Sequence, residues 1–352
     1  MDIPDKQIKG RGAASNPTNR FEKLSLERNE EFDDSEERPL RTEFLKDSTS
    51  TIITYNNSPD VGFDASINVY RGCEHGCVYC FARPTHEYLG FSSGLDFESR
   101  ILVKENAPEL LHKELGAKGW KPQILAMSGV TDCYQPIEKQ LGLTRKCLAV
   151  LLEYRNPVII ITKNHLVTRD IDLLAQLAKF KAVAVHISVT TLDAKLTPKL
   201  EPRASLPAMR LEAIRKLSDA GVPVGVLAAP MIPGLTDHEM PRIIQECAKA
   251  GAQYAGYVPL RLPFGLKDLF EQWLERHFPD SKEKVLSRIR SIRDGKLNDS
   301  NFGTRMEGTG NYAEQLNQMF HAAARKAGLE GRRSEVTASN FKRPGPEQLK
   351  LF

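Results

Sequence analysis

The stretch YRGCEHGCVYCFARP, residues 70–84, follows a short apolar run and holds three of the chain's six cysteines at the spacing Cys73-x3-Cys77-x2-Cys80. Three thiolates in one loop can hold three corners of a [4Fe–4S] cube and leave the fourth iron without a protein ligand. An open iron can bind a small molecule and pass it an electron. Gly72 and Gly76 let the backbone turn tightly around such a group. The alternative is a zinc site completed by His75 or His86. Zinc sites generally pair Cys-x2-Cys units, and the sequence holds no second pair. The remaining cysteines, Cys133, Cys147 and Cys247, are scattered, so the chain carries no disulfide framework.

Outward from the loop, strand-type apolar runs fall at 67–70, 124–127, 158–162, 183–189, 224–229 and 255–258. Their length and β-branched content suit buried parallel strands. Helical patterns lie between them, at 141–153, 170–180, 211–220 and 243–250. The last two stop at Gly221 and Gly251, as helices do before a strand. This alternation predicts a parallel α/β fold over residues 51–263. Periodicity alone leaves a barrel and a doubly wound sheet both open. In a barrel the cysteine loop, coming straight after the first strand, lies at the C-terminal mouth where active sites collect. Residues 1–50 are polar, with an acidic run at 30–37, and read as a mobile arm. Helical patterns at 264–278, 282–293 and 312–327 form a C-terminal extension to residue 331, followed by a polar, flexible tail over 332–352.

The 352 residues suffice for one large domain with extensions, and the net charge of +4 is too small to establish nucleic-acid binding by itself. The sequence has no apolar run of about 18 residues and no N-terminal secretory pattern, so no membrane partner and a cytoplasmic location are expected.

The cysteine loop, with aromatic Tyr79 before the last cysteine, resembles the defining motif of the radical S-adenosylmethionine (SAM) superfamily. The resemblance spans residues 66–263 and implies a partial (β/α)6 TIM-like barrel. It also implies that a [4Fe–4S] cluster on Cys73, Cys77 and Cys80 binds SAM through its amino and carboxylate groups. Reductive cleavage then yields a 5′-deoxyadenosyl radical that abstracts a substrate hydrogen, the electron coming from a donor such as flavodoxin or ferredoxin. The segments SGVTD (128–132), ITK (161–163), HISVT (186–190), LEPRAS (200–205) and APMIPG (229–234) are similar to those of the spore photoproduct lyase group. The loop wording and the following DFE look closer still to a large bacterial group of radical proteins without an assigned reaction. By that resemblance Thr131 and Asp132 lie near the SAM amino group. Lys163 meets its carboxylate, Ser188 contacts the methionyl or ribose part, and the backbone of Ala229 to Met231 and Ile232 flanks adenine.

Two positions depart from the lyase. Its hydrogen-donating cysteine is replaced by Gly129, and its tyrosine after the third cluster cysteine by Phe81. Thymine-dimer repair by the lyase's return route is therefore not expected. Cys133 is either a substitute donor or a small buried residue. His86 and Glu87 are candidates for proton handling in a substrate pocket, and Glu201 with Arg203 for an ion pair at the mouth.

Lys284, Arg288 and Arg290 lie mostly off the apolar face of their helix, where they could grip phosphates or simply face solvent. The end, RPGPEQLKLF, resembles the peptide by which replication and repair proteins dock on the DNA sliding clamp, through Gln348, Leu349, Leu351 and Phe352. Pro344 and Pro346 would keep it extended. Together these features predict a lyase-like radical enzyme acting in DNA repair or base modification. A small molecule, protein or RNA substrate and a non-catalytic redox-sensing or tethering module are the alternatives.

Overall fold

The computed structural model describes residues 8–22 and 40–344. Its strands are β1 (Glu43–Lys46), β2 (Ile53–Tyr55), β3 (Ala65–Ile67), β4 (Tyr70–Arg71), β5 (Arg100–Val103), β6 (Leu125–Met127), β7 (Val158–Thr162), β8 (Val183–Ser188), β9 (Val224–Met231) and β10 (Ala255–Pro259). The large sheet has the order β10-β9-β8-β7-β6-β3-β2. From β3 to β10 every neighbouring pair is parallel, and β2 adds an antiparallel edge on β3.

This order settles what periodicity left open. A doubly wound sheet reverses direction at a switch point. Here the six parallel strands follow chain order without reversal, and β10 and β2 end the sheet unpaired with each other, so the barrel is partial. Strand β7 shows why these runs become strands. Its Val158, Ile160 and Thr162 face the core, while Ile159 and Ile161 are covered only in part. Helices Leu143–Tyr154, Ile171–Lys179, Pro207–Asp219 and Met240–Lys249 fill the crossovers, and Cys147 and Cys247 are fully buried among their apolar faces, as expected.

Two parts of the expected arm are structured. Strand β1 pairs in parallel with β5, which also pairs with β4, to make a second, three-stranded sheet. Residues 8–22 pack against the cysteine loop, with Arg11 and Ala13 each 3% exposed. The mobile-arm expectation is corrected for these residues. A polar segment without an apolar face can be held by hydrogen bonds to a buried carboxylate, here Glu98.

The C-terminal extension contains helices Leu266–His277, Lys282–Ser291 and Gly310–Lys326. Val285, Leu286, Ile289 and Ile292 are buried, as their spacing predicts, while Lys284 and Arg288 face solvent. Arg293 ties this extension to the end of β10 by donating to the carbonyls of Leu260 (2.8 Å) and Thr304 (3.0 Å). The early tail is not loose: Thr337 N donates to the Lys181 carbonyl and Lys342 N to the Tyr154 carbonyl. The clamp-like residues Gln348, Leu349, Leu351 and Phe352 lie outside the described residues. Among the described residues no helix is long and apolar enough to cross a membrane.

Candidate active site

The cysteine loop closes over the C-terminal ends of β3 and β6 and is fixed at almost every turn. Cys73 N donates to the Phe97 carbonyl at 2.9 Å and Val78 N to the Leu200 carbonyl at 3.1 Å. The Gln135 amide reads the loop twice, accepting from Glu74 N and donating to the Gly72 carbonyl. Glu74 in turn accepts from Ile137 N and pairs with Arg203 at 2.9 Å. Beneath the loop lies the Arg83–Glu98 pair at 2.5 Å, both side chains fully buried. Cys73 and Cys77 are each 7% exposed, and Cys80 is half-buried. Burial pushes the Cys77 thiol well above its ordinary range, with the nearby Glu201 carboxylate adding to the rise.

These residues fit a cluster. Among the described residues no three His, Cys, Asp or Glu side chains converge as a single-ion site needs. A cubane asks for no such convergence, because each thiolate takes a different iron. All three thiols are free of disulfides, and binding to iron would take up their sulfurs as thiolates with release of the protons.

The floor of the mouth is a buried polar network. The Tyr79 hydroxyl donates to Glu201, which also takes a hydrogen bond from Thr190 (2.8 Å) and an ion pair from Arg210. Burial works against the Glu201 charge, but Arg210 and Lys163 outweigh it and hold the carboxyl at about 2. The expected Glu201–Arg203 pair is therefore corrected: Glu201 pairs with Arg210, and Arg203 with Glu74. Arg210 sits one helix further on, and only the crossover brings it back to the mouth.

Lys163 stands at the end of β7 with its ammonium 5.9 Å from the centre of the Tyr79 ring, and among the described residues its side chain has no ion pair. Ser188 ends β8, 3% exposed, its carbonyl accepting from Arg210. At the end of β9 the Met231 carbonyl accepts from Leu260 N, and the Ala229 carbonyl lies 3.0 Å from Thr190 Oγ1.

Thr131 and Asp132 are occupied differently from expectation. Asp132 Oδ1 accepts from Tyr134 N and Thr162 Oγ1, and Oδ2 from Lys163 N with the His75 ring 3.3 Å away. All four acceptor positions of the carboxylate are thus taken by protein groups. Thr131 donates to the Gly72 carbonyl at 2.7 Å. Both residues brace the cysteine loop against the strand ends.

Two further expectations change. Cys133 is 1% exposed and part of the barrel's apolar core, its thiol raised well above the ordinary range by burial and by Asp132. A thiol so enclosed is a packing residue, which corrects the donor reading. His86 is fully buried beside Phe91 and Phe97, with Nε2 2.9 Å from the Arg100 carbonyl, and burial lowers its pKa to about 4. Glu87 pairs with Arg20 of the N-terminal segment at 2.5 Å. Both have packing partners in place of an open pocket, so their proton-handling role is corrected too. Sequence reasoning missed Gln135, Glu98 and Arg83, whose role depends on burial that no local pattern announces.

Three exposed phenylalanines each have an arginine over the ring. Phe81, Phe264 and Phe302 are 49%, 56% and 57% exposed. Arg261 lies over Phe81 (5.5 Å to the ring centre), Arg20 over Phe264 (3.7 Å) and Arg305 over Phe302 (4.4 Å).

An open parallel barrel with three thiols in the loop after its first strand defines a class of enzymes that work with a metal cofactor at the barrel mouth. The model of the radical SAM superfamily matches residues 67–247, and the chain belongs to that superfamily. It is thus an enzyme of the kind that uses a [4Fe–4S] cluster and SAM for radical chemistry. An uncharacterized protein of Mycobacterium tuberculosis is 34% identical over 238 residues, covering 67% of this chain and 69% of that one. One from Methanocaldococcus jannaschii is 31% identical over 223 residues, covering 63% and 79%. A spore photoproduct lyase variant with bound AdoMet and dinucleoside spore photoproduct has a similar fold, with a TM-score of 0.58 at 17% identity over 80% of this chain and 78% of that one.

Proposed function

We propose that this enzyme acts on a nucleic acid that presents an unpaired or extruded base to the barrel mouth. The observation that carries this reading is that exposed Phe81, Phe264 and Phe302 each have an arginine over the ring, of which Arg20 and Arg305 are held by Glu87 and Asp60 while Arg261 has no ion pair among the described residues. Every base offers a π-face and every nucleotide a phosphate, and aromatic–arginine surfaces take both without regard to sequence. A base inside a duplex cannot reach a group set among βα loops, so the substrate base must leave its stack.

In this reading Cys73, Cys77 and Cys80 hold the cluster and Lys163 meets the SAM carboxylate, its ammonium standing 5.9 Å from the centre of the Tyr79 ring with no ion pair among the described residues. A cluster so held would supply one-electron reduction of bound SAM, with the electron drawn from a donor such as flavodoxin or ferredoxin. The protein's own part is position and dryness: the Tyr79, Thr190, Glu201 and Arg210 network closes the floor against water. Tail docking on a sliding clamp through 348–352 belongs to the same proposal and rests on the sequence alone.

The test is anaerobic incubation of reconstituted, reduced enzyme with SAM and deuterated single-stranded or damaged DNA, following 5′-deoxyadenosine. Deuterium in that product supports the reading. Product formed without deuterium from any nucleic acid overturns the substrate assignment.

A further inference from the structure

Arg261 lies just beyond the end of β10, where the parallel sheet stops. Its guanidinium stands 5.5 Å from the centre of the Phe81 ring, the residue directly after Cys80. Its Nε is buried and has no hydrogen-bond partner. Among the described residues its guanidinium makes one hydrogen bond, from Nη1 to the Met306 thioether at 3.3 Å, a weak acceptor.

The charge around Arg261 is unbalanced. Arg305 and Arg293 both act on it as like charges. Asp60 is the acid that offsets it, but that carboxylate is already engaged by Arg305 and by Gly303 N at 2.6 Å. Arg293 turns its Nη groups on the carbonyls of Leu260, Thr304 and Arg305, and the acid near it is Asp299. The Phe81 contact is to the ring face at 5.5 Å and leaves Nη2 without a partner among the described residues.

A partly desolvated guanidinium with an unused Nη2, no ion pair among the described residues and a half-exposed ring beside it is built for an oxyanion. We propose that Arg261 is a phosphate receptor of the substrate site, holding a phosphodiester oxygen while the adjoining base stacks on Phe81. This deepens the nucleic-acid reading and rests on it for the identity of the phosphate's owner. Arg305 is not an equivalent receptor, because Asp60 and Ser58 already occupy it.

The experiment compares the full chain with Arg261→Gln and Arg261→Lys, after equal thermal midpoints confirm that all three are folded. Binding of a fluorescent single-stranded oligothymidylate is followed against salt, and thymidine 5′-monophosphate is titrated separately. Arg261→Gln is expected to bind the oligonucleotide about tenfold more weakly, with the slope of log affinity against log salt smaller by about one. Arg261→Lys should recover the slope, since it keeps the charge. Oligonucleotide binding unchanged in both affinity and slope by Arg261→Gln overturns the receptor and leaves the nucleic-acid reading standing. Binding of the monophosphate alone, lost in Arg261→Gln, supports the receptor and overturns the polymer substrate. No binding of either probe by the parent chain overturns the receptor.

Discussion

Gly12 approaches Gly76 so closely that a β-carbon added to Gly12 would stand 1.8 Å from the Gly76 carbonyl oxygen. The N-terminal segment is thus seated directly on the loop that carries Cys73, Cys77 and Cys80. Gly12→Ala must lift one backbone from the other, a form of overpacking that costs about 1–3 kcal/mol. The expected outcome is a lower thermal midpoint and fewer irons per chain after reconstitution. Unchanged iron content would show that the segment does not support the cluster loop.

Glu98 joins that segment to the loop. Its carboxylate accepts from Gly12 N (2.9 Å), Ala13 N (2.8 Å) and Arg83. Removing one charge of a fully buried pair leaves the other uncompensated, at about 3–5 kcal/mol. Glu98→Gln should therefore show a large loss in urea midpoint, and replacing only the surface partner in Lys181–Glu335 should show almost none.

Cys77 and Cys133 are both buried thiols with opposite expected roles. Cys77→Ala should abolish the cluster's visible absorption and all 5′-deoxyadenosine formation. Cys133→Ala should keep both and lose roughly 1 kcal/mol of stability as a small core truncation. A Cys133→Ala enzyme that cleaves SAM but no longer completes turnover would restore the donor role.

Lys163→Met should raise the dissociation constant for SAM by about ten- to a hundredfold, the scale of one charge-assisted hydrogen bond. Iron content should stay that of the parent. Isothermal titration of the reconstituted protein reads the affinity and a colorimetric iron assay the content; equal affinity would remove Lys163 from the cofactor site.

His186 gives a pH dependence with a definite sign. It is half-buried against Tyr254, its enclosed Nδ1 has no partner among the described residues, and desolvation lowers its pKa from 6.5 to about 4. Below pH 6.5 the unfolded chain takes up a proton that the folded chain refuses. Its contribution is fully present above 6.5 and is lost as pH falls toward 4, by up to about 3 kcal/mol. His186→Leu should flatten the fall in urea midpoint between pH 6.5 and 4. Glu201 acts lower, its lowered pKa costing stability only from about 4.5 down to about 2.

The barrel strands were legible because each is a short β-branched run, and 158–162 coincides with β7 residue for residue. The cysteine spacing was legible because its chemistry lies within one loop. Strand β5 was not: Arg100–Val103 is short, and it is a strand because β1 and β4 flank it. Residues 8–22 were hidden for a related reason, since what holds them is a carboxylate some eighty positions away.

The sequence by itself determined the parallel α/β alternation, the three-cysteine loop after its first strand and hence the superfamily. Local periodicity and local spacing suffice for these. The tertiary structure decided that the sheet stays in chain order as an open barrel, that Glu201 pairs with Arg210 and not Arg203, and that Cys133 is core. It also set Arg261 beside Phe81 with no ion pair among the described residues. Burial and charge pairing depend on which distant segments meet, and a linear pattern does not carry that information.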